Sequence, residues 1–191
     1  MTGRQAGPGL VLVVGPSGAG KDTLIAGARA ALAGHPGYVF PRREITRPVK
    51  PGDEPHVAVS EAEFHRRHQA GRYALAWKAH GLSYGVPADI VDELAAGKVV
   101  VVNVSRTIIA DARRRFGTVH VARVDAKEDA LRQRLAARGR EAGESIEARL
   151  ARAVAYTVCA PNEITIDNNG SSERAVAAFV AFLRSLRPAV A

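Results

Sequence analysis

Five apolar, β-favouring residues, Leu10 through Val14, run without a break into Gly15-Pro16-Ser17-Gly18-Ala19-Gly20-Lys21-Asp22-Thr23. An apolar run bounded by glycine predicts a buried strand, and residues 22–32 carry a helical pattern. Strand, glycine-rich loop and helix in that order form a phosphate cradle between the strand end and the helix start. The spacing of Gly15, four residues, Gly20 and Lys21 lets backbone N–H groups turn inward around phosphate oxygens, while the lysine reaches the β and γ phosphates. Where Ser or Thr ordinarily follows the lysine and binds Mg²⁺, this chain has Asp22, with Thr23 next. Asp22 is read either as a water-mediated Mg²⁺ ligand or as a helix-capping or solvent-facing carboxylate, since beside phosphates it otherwise repels.

Apolar runs then alternate with helical patterns, the sequence sign of an α/β chain with a mainly parallel sheet. Strands are expected over 10–14, 38–42, 99–104, 119–124 and 164–166. Helices are expected over 22–32, 61–69, 88–96, 107–115, 127–138, 146–158 and 172–186. The expected fold is therefore α/β, a P-loop NTPase of three α/β/α layers around a mainly parallel five-stranded sheet. The stretch 46–87, rich in Pro, Gly, His and Arg, is too long for an ordinary connection and is expected to form a small acceptor-binding lobe. With 191 residues, 47% of them hydrophobic, one domain is expected, its core built from 9–45 and 88–191.

The formal charge of +8 favours anionic partners. Its arginines are spread along the chain rather than gathered in a basic tail, and aromatics are only 5%, with no stacking stripe, so single-stranded nucleic acid is disfavoured. The lone Cys159 excludes an internal disulfide framework and is read as a small buried hydrophobe. No apolar stretch approaches the ~20 residues of a membrane span, and no signal-peptide segment precedes the first strand. A cytoplasmic protein, with no nucleic-acid or membrane partner, is expected; a homodimer is compatible with this reading.

The motifs also resemble a family. GPSGAGKDT at 15–23, ITRPVKPGD at 45–53, VSEAEF at 59–64 and HGLSYG at 80–85 follow in guanylate-kinase order. RLAARGRE at 134–141 is similar to the arginine-rich lid of nucleoside monophosphate kinases, placing a helical lid over about 134–149. ITIDNNG at 164–170 is like the strand and turn near the adenine pocket. The departures concern the acceptor. Guanylate kinases carry a base-reading glutamate in an F-L-E segment, and the matching segment from Ala74 to Trp77 places Ala76 there. Tyr84-Gly85 is followed by Val86-Pro87 instead of hydroxyl residues, and the acidic D-I-D segment becomes Asn103-Val104-Ser105-Arg106. A site that must hydrogen-bond guanine loses discrimination on the order of 10⁴-fold without its polar partners.

GKDT with TRP, His56 before VSEAEF, WKAHGLSYG and VNVSR resemble the ribose 1,5-bisphosphate phosphokinases of bacterial phosphonate catabolism and PRPP biosynthesis. That resemblance implies transfer of the ATP γ-phosphoryl group to the 1-phosphate of ribose 1,5-bisphosphate, with Mg²⁺, giving 5-phosphoribosyl 1-diphosphate and ADP. It places Arg47 and Lys50 among the acceptor-phosphate cations and Arg138 and Arg149 in the lid over the transferring group, with Arg134 one turn before Arg138. Tyr84 is read as donating to an acceptor phosphate or as a lobe-core aromatic. Asn103 and Arg106 follow the third strand, where ligands gather in parallel sheets. His56 and His80 are open between sugar-hydroxyl contacts and turn or packing roles, and Trp77 is read as lobe core. Two other readings stand beside this one: another small-molecule or nucleotide kinase, guanylate kinase included, and a non-catalytic guanylate-kinase-like binding module. The module is the weaker, because Gly20-Lys21 is retained.

Overall fold

The apolar run Leu10–Val14 is buried on both faces, as a central parallel strand must be. In the computed structural model, which describes residues 7–49, 54–127, 131 and 162–189, this strand, β1, is the middle of a five-stranded sheet. It pairs in parallel with Val99–Asn103 on one side and Val119–Asp125 on the other. Tyr38–Val39 (β2) adds to the Val99 strand as one edge, and Glu163–Asp167 adds to the Val119 strand as the other. Parallel neighbours require crossovers, and the helices that supply them cover both faces.

In chain order the elements are β1, helix α1 (Lys21–Ala31), β2, β3 (Glu44–Ile45), β4 (Val57–Ala58), α2 (Glu61–Gln69), β5 (Tyr73–Ala79), β6 (Leu82–Pro87), α3 (Ile90–Ala95), β7 (Val99–Asn103), α4 (Ile109–Arg115), β8 (Val119–Asp125), β9 (Glu163–Asp167) and α5 (Ser172–Ser185). The main sheet has the order β2-β7-β1-β8-β9. Because strand side chains alternate, β1 feeds two cores. Val11 and Val13 pack with Leu24 and Ala28 of α1 and Phe179 and Leu183 of α5. Leu10, Leu12 and Val14 pack with Ile90, Ala112, Leu75 and Val86 on the other face. The second core includes lobe residues, so it ties the lobe to the main sheet.

The stretch expected as a lobe, 46–87, supplies β4, β5 and β6 of a second sheet of order β4-β3-β6-β5, and the sheet reaches back beyond it to take in β3 at Glu44–Ile45. β5 and β6 form an antiparallel hairpin turning at His80 (φ 52°) and Gly81 (φ 72°), both in the left-handed region favoured by tight hairpin turns. Arg67 of α2 bridges Glu44 of β3 and Glu63 of its own helix, while the Tyr73 hydroxyl also donates to Glu44. The start of α2 is closed by Ser60, whose hydroxyl accepts from the Glu63 N–H at 3.1 Å.

Several expected boundaries shift. The strand expected over 38–42 ends at Val39, because Pro41 offers no N–H to continue an edge ladder. The helix expected over 88–96 is confined to Ile90–Ala95. That expected over 107–115 begins as a 3₁₀ turn, Arg106–Ile108, whose first residue follows Ser105; the Ser105 side chain accepts from the Thr107 N–H. The other expected strands and helices among the described residues match or differ by one residue at one or both ends. The helices expected over 127–138 and 146–158, the lid, and the side chains Lys50, Arg134, Arg138, Arg149 and Cys159 lie outside the described residues, Lys127 and Leu131 excepted.

Candidate active site

Gly15 leaves β1 with φ 153°, and Gly20 closes the loop at φ 89° as the residue before α1. No side-chain hydrogen bond caps α1, which leaves its first N–H groups open to an anion. The Lys21 ammonium donates to the carbonyls of Gly15 at 2.9 Å and Pro16 at 2.8 Å. Folded back in this way, it stands inside the ring of backbone that would surround a phosphate. Ala19 is fully buried, and its carbonyl accepts from Asn168 Nδ2 at 2.7 Å, which fastens the loop to the end of β9.

Burial pushes the Lys21 ammonium down from 10.5 to about 8; Asp22 and Glu54 oppose that shift, while Arg43 and Arg106 add to it. The sign follows directly. Between about pH 8 and 10.5 the unfolded chain holds this proton and the folded chain releases it, so this group's contribution makes the empty protein more stable as pH rises through that window. A bound polyphosphate restores the cation. Calorimetry of ATP binding at pH 8, in two buffers of different ionisation enthalpy, is therefore expected to show uptake of about half a proton, absent in Lys21→Ala. Equal uptake in both proteins would contradict the assignment.

Asp22 does not face solvent alone: its Oδ1 accepts from Asn103 Nδ2 at 2.7 Å, joining the start of α1 to the end of β7. Asn103, expected at the carboxyl end of the third strand, is thus brought to the loop, and Arg106 lies close enough for its charge to act on Lys21. Ser17 and Thr23 are exposed, while Gly18 is buried. Among the described residues no group of three or more His, Cys, Asp or Glu is placed to hold a metal ion. One oriented carboxylate with an amide beside it does suit Mg²⁺, which keeps several waters and is commonly held by one or two carboxylates and the substrate phosphates.

The lobe supplies the opposite wall. Arg43, just before β3, is 8% exposed and donates from Nη2 to Glu54 Oε1. Its guanidinium carbon lies 5.8 Å from the Trp77 ring centroid and 5.4 Å from that of Tyr84, and these two rings stack 5.3 Å apart at 5°. Burial pushes the Tyr84 hydroxyl up; Arg43 and Arg47 pull it back. Arg47, predicted from sequence, therefore shares the electrostatic neighbourhood of Tyr84. His56, 5% exposed, lies between two backbone carbonyls, Nδ1 3.0 Å from Glu54 O and Nε2 3.2 Å from Arg47 O. That contact selects the turn role for His56: it staples the loop that presents both residues. His80 sits in the β5–β6 turn.

Burial raises the Glu54 carboxyl; the charge of Arg43 lowers it and Asp22 raises it again through charge and a hydrogen bond. Glu54 thus lies under the influence both of Arg43, which donates to it from the lobe, and of Asp22, which Asn103 holds beside the phosphate-binding loop. The sequence reading missed Glu54 and the role of Arg43. Arg43 was one among the arginines spread along the chain, and Glu54 carried no motif. Asn168 lay within ITIDNNG without a role of its own.

No protein-family model matches the chain. Solved structures with the same fold include a guanylate kinase from Anaplasma phagocytophilum, at TM-score 0.62 and 19% identity over 94% of this chain and 86% of that one. A gluconokinase from Sinorhizobium meliloti follows at TM-score 0.54 and 20% identity, covering 96% and 95%. Curated relatives are much nearer in sequence. The ribose 1,5-bisphosphate phosphokinase PhnN of Acidiphilium cryptum is 53% identical over 178 residues, 93% of each chain. That of Brucella melitensis is 47% identical over 176 residues, 92% of each. With a phosphate-binding loop facing a cation-lined lobe, and with identity of this extent, the chain belongs to the ribose 1,5-bisphosphate phosphokinase family.

Proposed function

We propose that the protein transfers the γ-phosphoryl group of ATP to the 1-phosphate of ribose 1,5-bisphosphate, giving 5-phosphoribosyl 1-diphosphate and ADP. The observation that carries this reading is the lobe: Ala74 to Trp77 offers no carboxylate for a base, and the cations Arg43 and Arg47 gather around Tyr84 instead. Such a surface suits an acceptor with phosphates at both ends and no base to read.

An oxygen of the 1-phosphate forms the new bond to the γ-phosphorus as the bond to the β–γ bridging oxygen breaks, and the electron pair leaves with ADP. The acceptor oxygen is already ionised, so no general base is required. The chain's work is positioning and charge neutralisation. Backbone N–H groups of the loop from Gly15 to Gly20 and the Lys21 ammonium bind the β and γ phosphates. Asp22, oriented by Asn103, would hold Mg²⁺ through water, with Thr23 next along the helix. That ion would supply neutralisation of β- and γ-phosphate charge. Arg47 and Tyr84, with Lys50, hold the acceptor phosphate; Arg106 adds positive potential beside the loop. The family resemblance assigns Arg138 and Arg149 to charge neutralisation at the transferring group. A cytoplasmic location fits a kinase supplied with ATP; among the described residues no helix is long and apolar enough to cross a membrane.

Arg47→Ala is expected to raise the acceptor KM by about 10- to 100-fold, the worth of a charge-assisted contact, while the ATP KM moves less than about threefold. An unchanged acceptor KM would remove Arg47 from the site. The reaction itself is tested by the ³¹P spectrum of the product. Two coupled diphosphate resonances with the 5-phosphate singlet retained are expected. Coupling at the 5-position, or no coupling, would overturn the stated regiochemistry.

A further inference from the structure

Arg43 and Glu54 form a largely buried ion pair whose charges both act on Lys21 of the phosphate-binding loop. Such a pair is a poor source of stability, because desolvating each ion costs several kcal/mol and apolar replacements are often neutral or better. Its surroundings suggest another purpose. The guanidinium lies beside the stacked rings of Trp77 and Tyr84, and its Nη2 is directed at whatever stands where Glu54 now stands. The same cation acts electrostatically on Lys21 and on Tyr84, so it stands within reach of both the loop and the acceptor side of the lobe.

Glu54 is also an imperfect counter-ion. It is crowded by Asp22, and burial disfavours its charged form. A phosphate monoester carries more charge and more acceptor oxygens than a carboxylate, and matches the guanidinium fork at least as well. We infer that Arg43 is an acceptor-phosphate ligand, and that the Glu54 carboxylate holds in the ligand-free cleft the place a phosphoryl group takes when the acceptor binds. This rests on the proposed sugar-bisphosphate acceptor and deepens it.

Trp77 is the chain's single tryptophan and lies against Arg43, so intrinsic fluorescence of the full-length protein reports the exchange directly. Titration with ribose 1,5-bisphosphate, without ATP or metal, is expected to give a saturable change in the wild type. Arg43→Ala weakens that binding by about 10- to 100-fold, and Arg43→Lys, which keeps charge without the fork, falls between. Glu54→Gln removes the competing charge and binds the acceptor more tightly than wild type, by about 3- to 10-fold. Melting temperatures taken in parallel distinguish a structural pair. If Glu54→Gln weakens acceptor binding as Arg43→Ala does, with both variants melting earlier by similar amounts, the exchange is overturned. If the wild type binds the bisphosphate and Arg43→Ala retains that affinity, the exchange fails while the proposed acceptor stands. If the wild type ignores the bisphosphate but saturates with GMP, and Glu54→Gln tightens GMP binding, the acceptor falls while the exchange is upheld.

Discussion

Lys21→Ala is expected to lower kcat by about 10²- to 10³-fold or more, the usual cost of removing one preorganised donor to developing charge, while the protein stays folded. The two halves of that result have separate causes. In the empty site the ammonium makes two hydrogen bonds to loop carbonyls, but burial disfavours its charge and holds its pKa near 8. Deleting it removes a desolvated cation along with those bonds, so the melting temperature should remain within a few degrees of wild type, or rise. In the nucleotide complex the same cation is stabilised by the β and γ phosphates, and there nothing replaces it. The measurements are steady-state kinetics with saturating acceptor and a thermal melt of the same preparation. Full turnover in the variant would remove Lys21 from the phosphate site; a collapsed melt would mean that its role is structural.

Gly15→Ala is expected to be the most damaging small substitution in the loop. A Cβ there would lie 2.6 Å from the Val124 carbonyl oxygen and 3.4 Å from its Cβ, on a strand that cannot yield because β8 is paired on both sides. The φ of 153° adds strain for any L side chain. A loss of about 2–4 kcal/mol follows, and at this chain length it lowers the melting temperature by roughly 5–15 °C. ATP affinity should fall at least about tenfold, since the loop must move off β8 and its N–H groups with it. Gly117→Ala is the control, because a Cβ there meets nothing within 4 Å and its backbone is outside the left-handed region; it should change neither quantity. Equal effects at both positions would mean that general helix or loop propensity, not the β8 contact, decides the outcome.

What could be read from the sequence follows from what constrains each residue locally. The loop from Gly15 to Lys21 was legible because its conformation needs glycine at fixed spacing and its chemistry needs a cation at the end. Strands β1 and β7 were legible because burial on both faces demands continuous apolar runs such as LVLVV and VVVV, and β8, VHVARVD, was legible from its recurring β-branched valines. The lobe's sheet was hidden. β3 and β4 are two residues each, too short for any period to show, and the β5–β6 turn uses His80-Gly81 where Asn-Gly would have signalled a hairpin. The partners that matter most in the cleft were hidden for a different reason. Arg43 and Glu54 meet across eleven residues, and Asp22 and Asn103 across eighty-one, so no local spacing announces either contact. Family resemblance supplied Arg47 and Tyr84, and the fold brought Arg43 beside them.

The fold is shared with guanylate kinase, so the central question is which phosphate the protein extends. The most direct measurement is ADP release from ATP and Mg²⁺ with ribose 1,5-bisphosphate, GMP, AMP and ribose 5-phosphate offered separately under identical conditions. Strong turnover with the bisphosphate, and little with the other three, is the expected result of a lobe walled by Arg43, Arg47 and Tyr84 with no base-reading carboxylate. Preferred turnover with GMP would contradict the account at its centre, because it would mean that a purine is recognised by a wall that offers it none of the partners argued to be necessary.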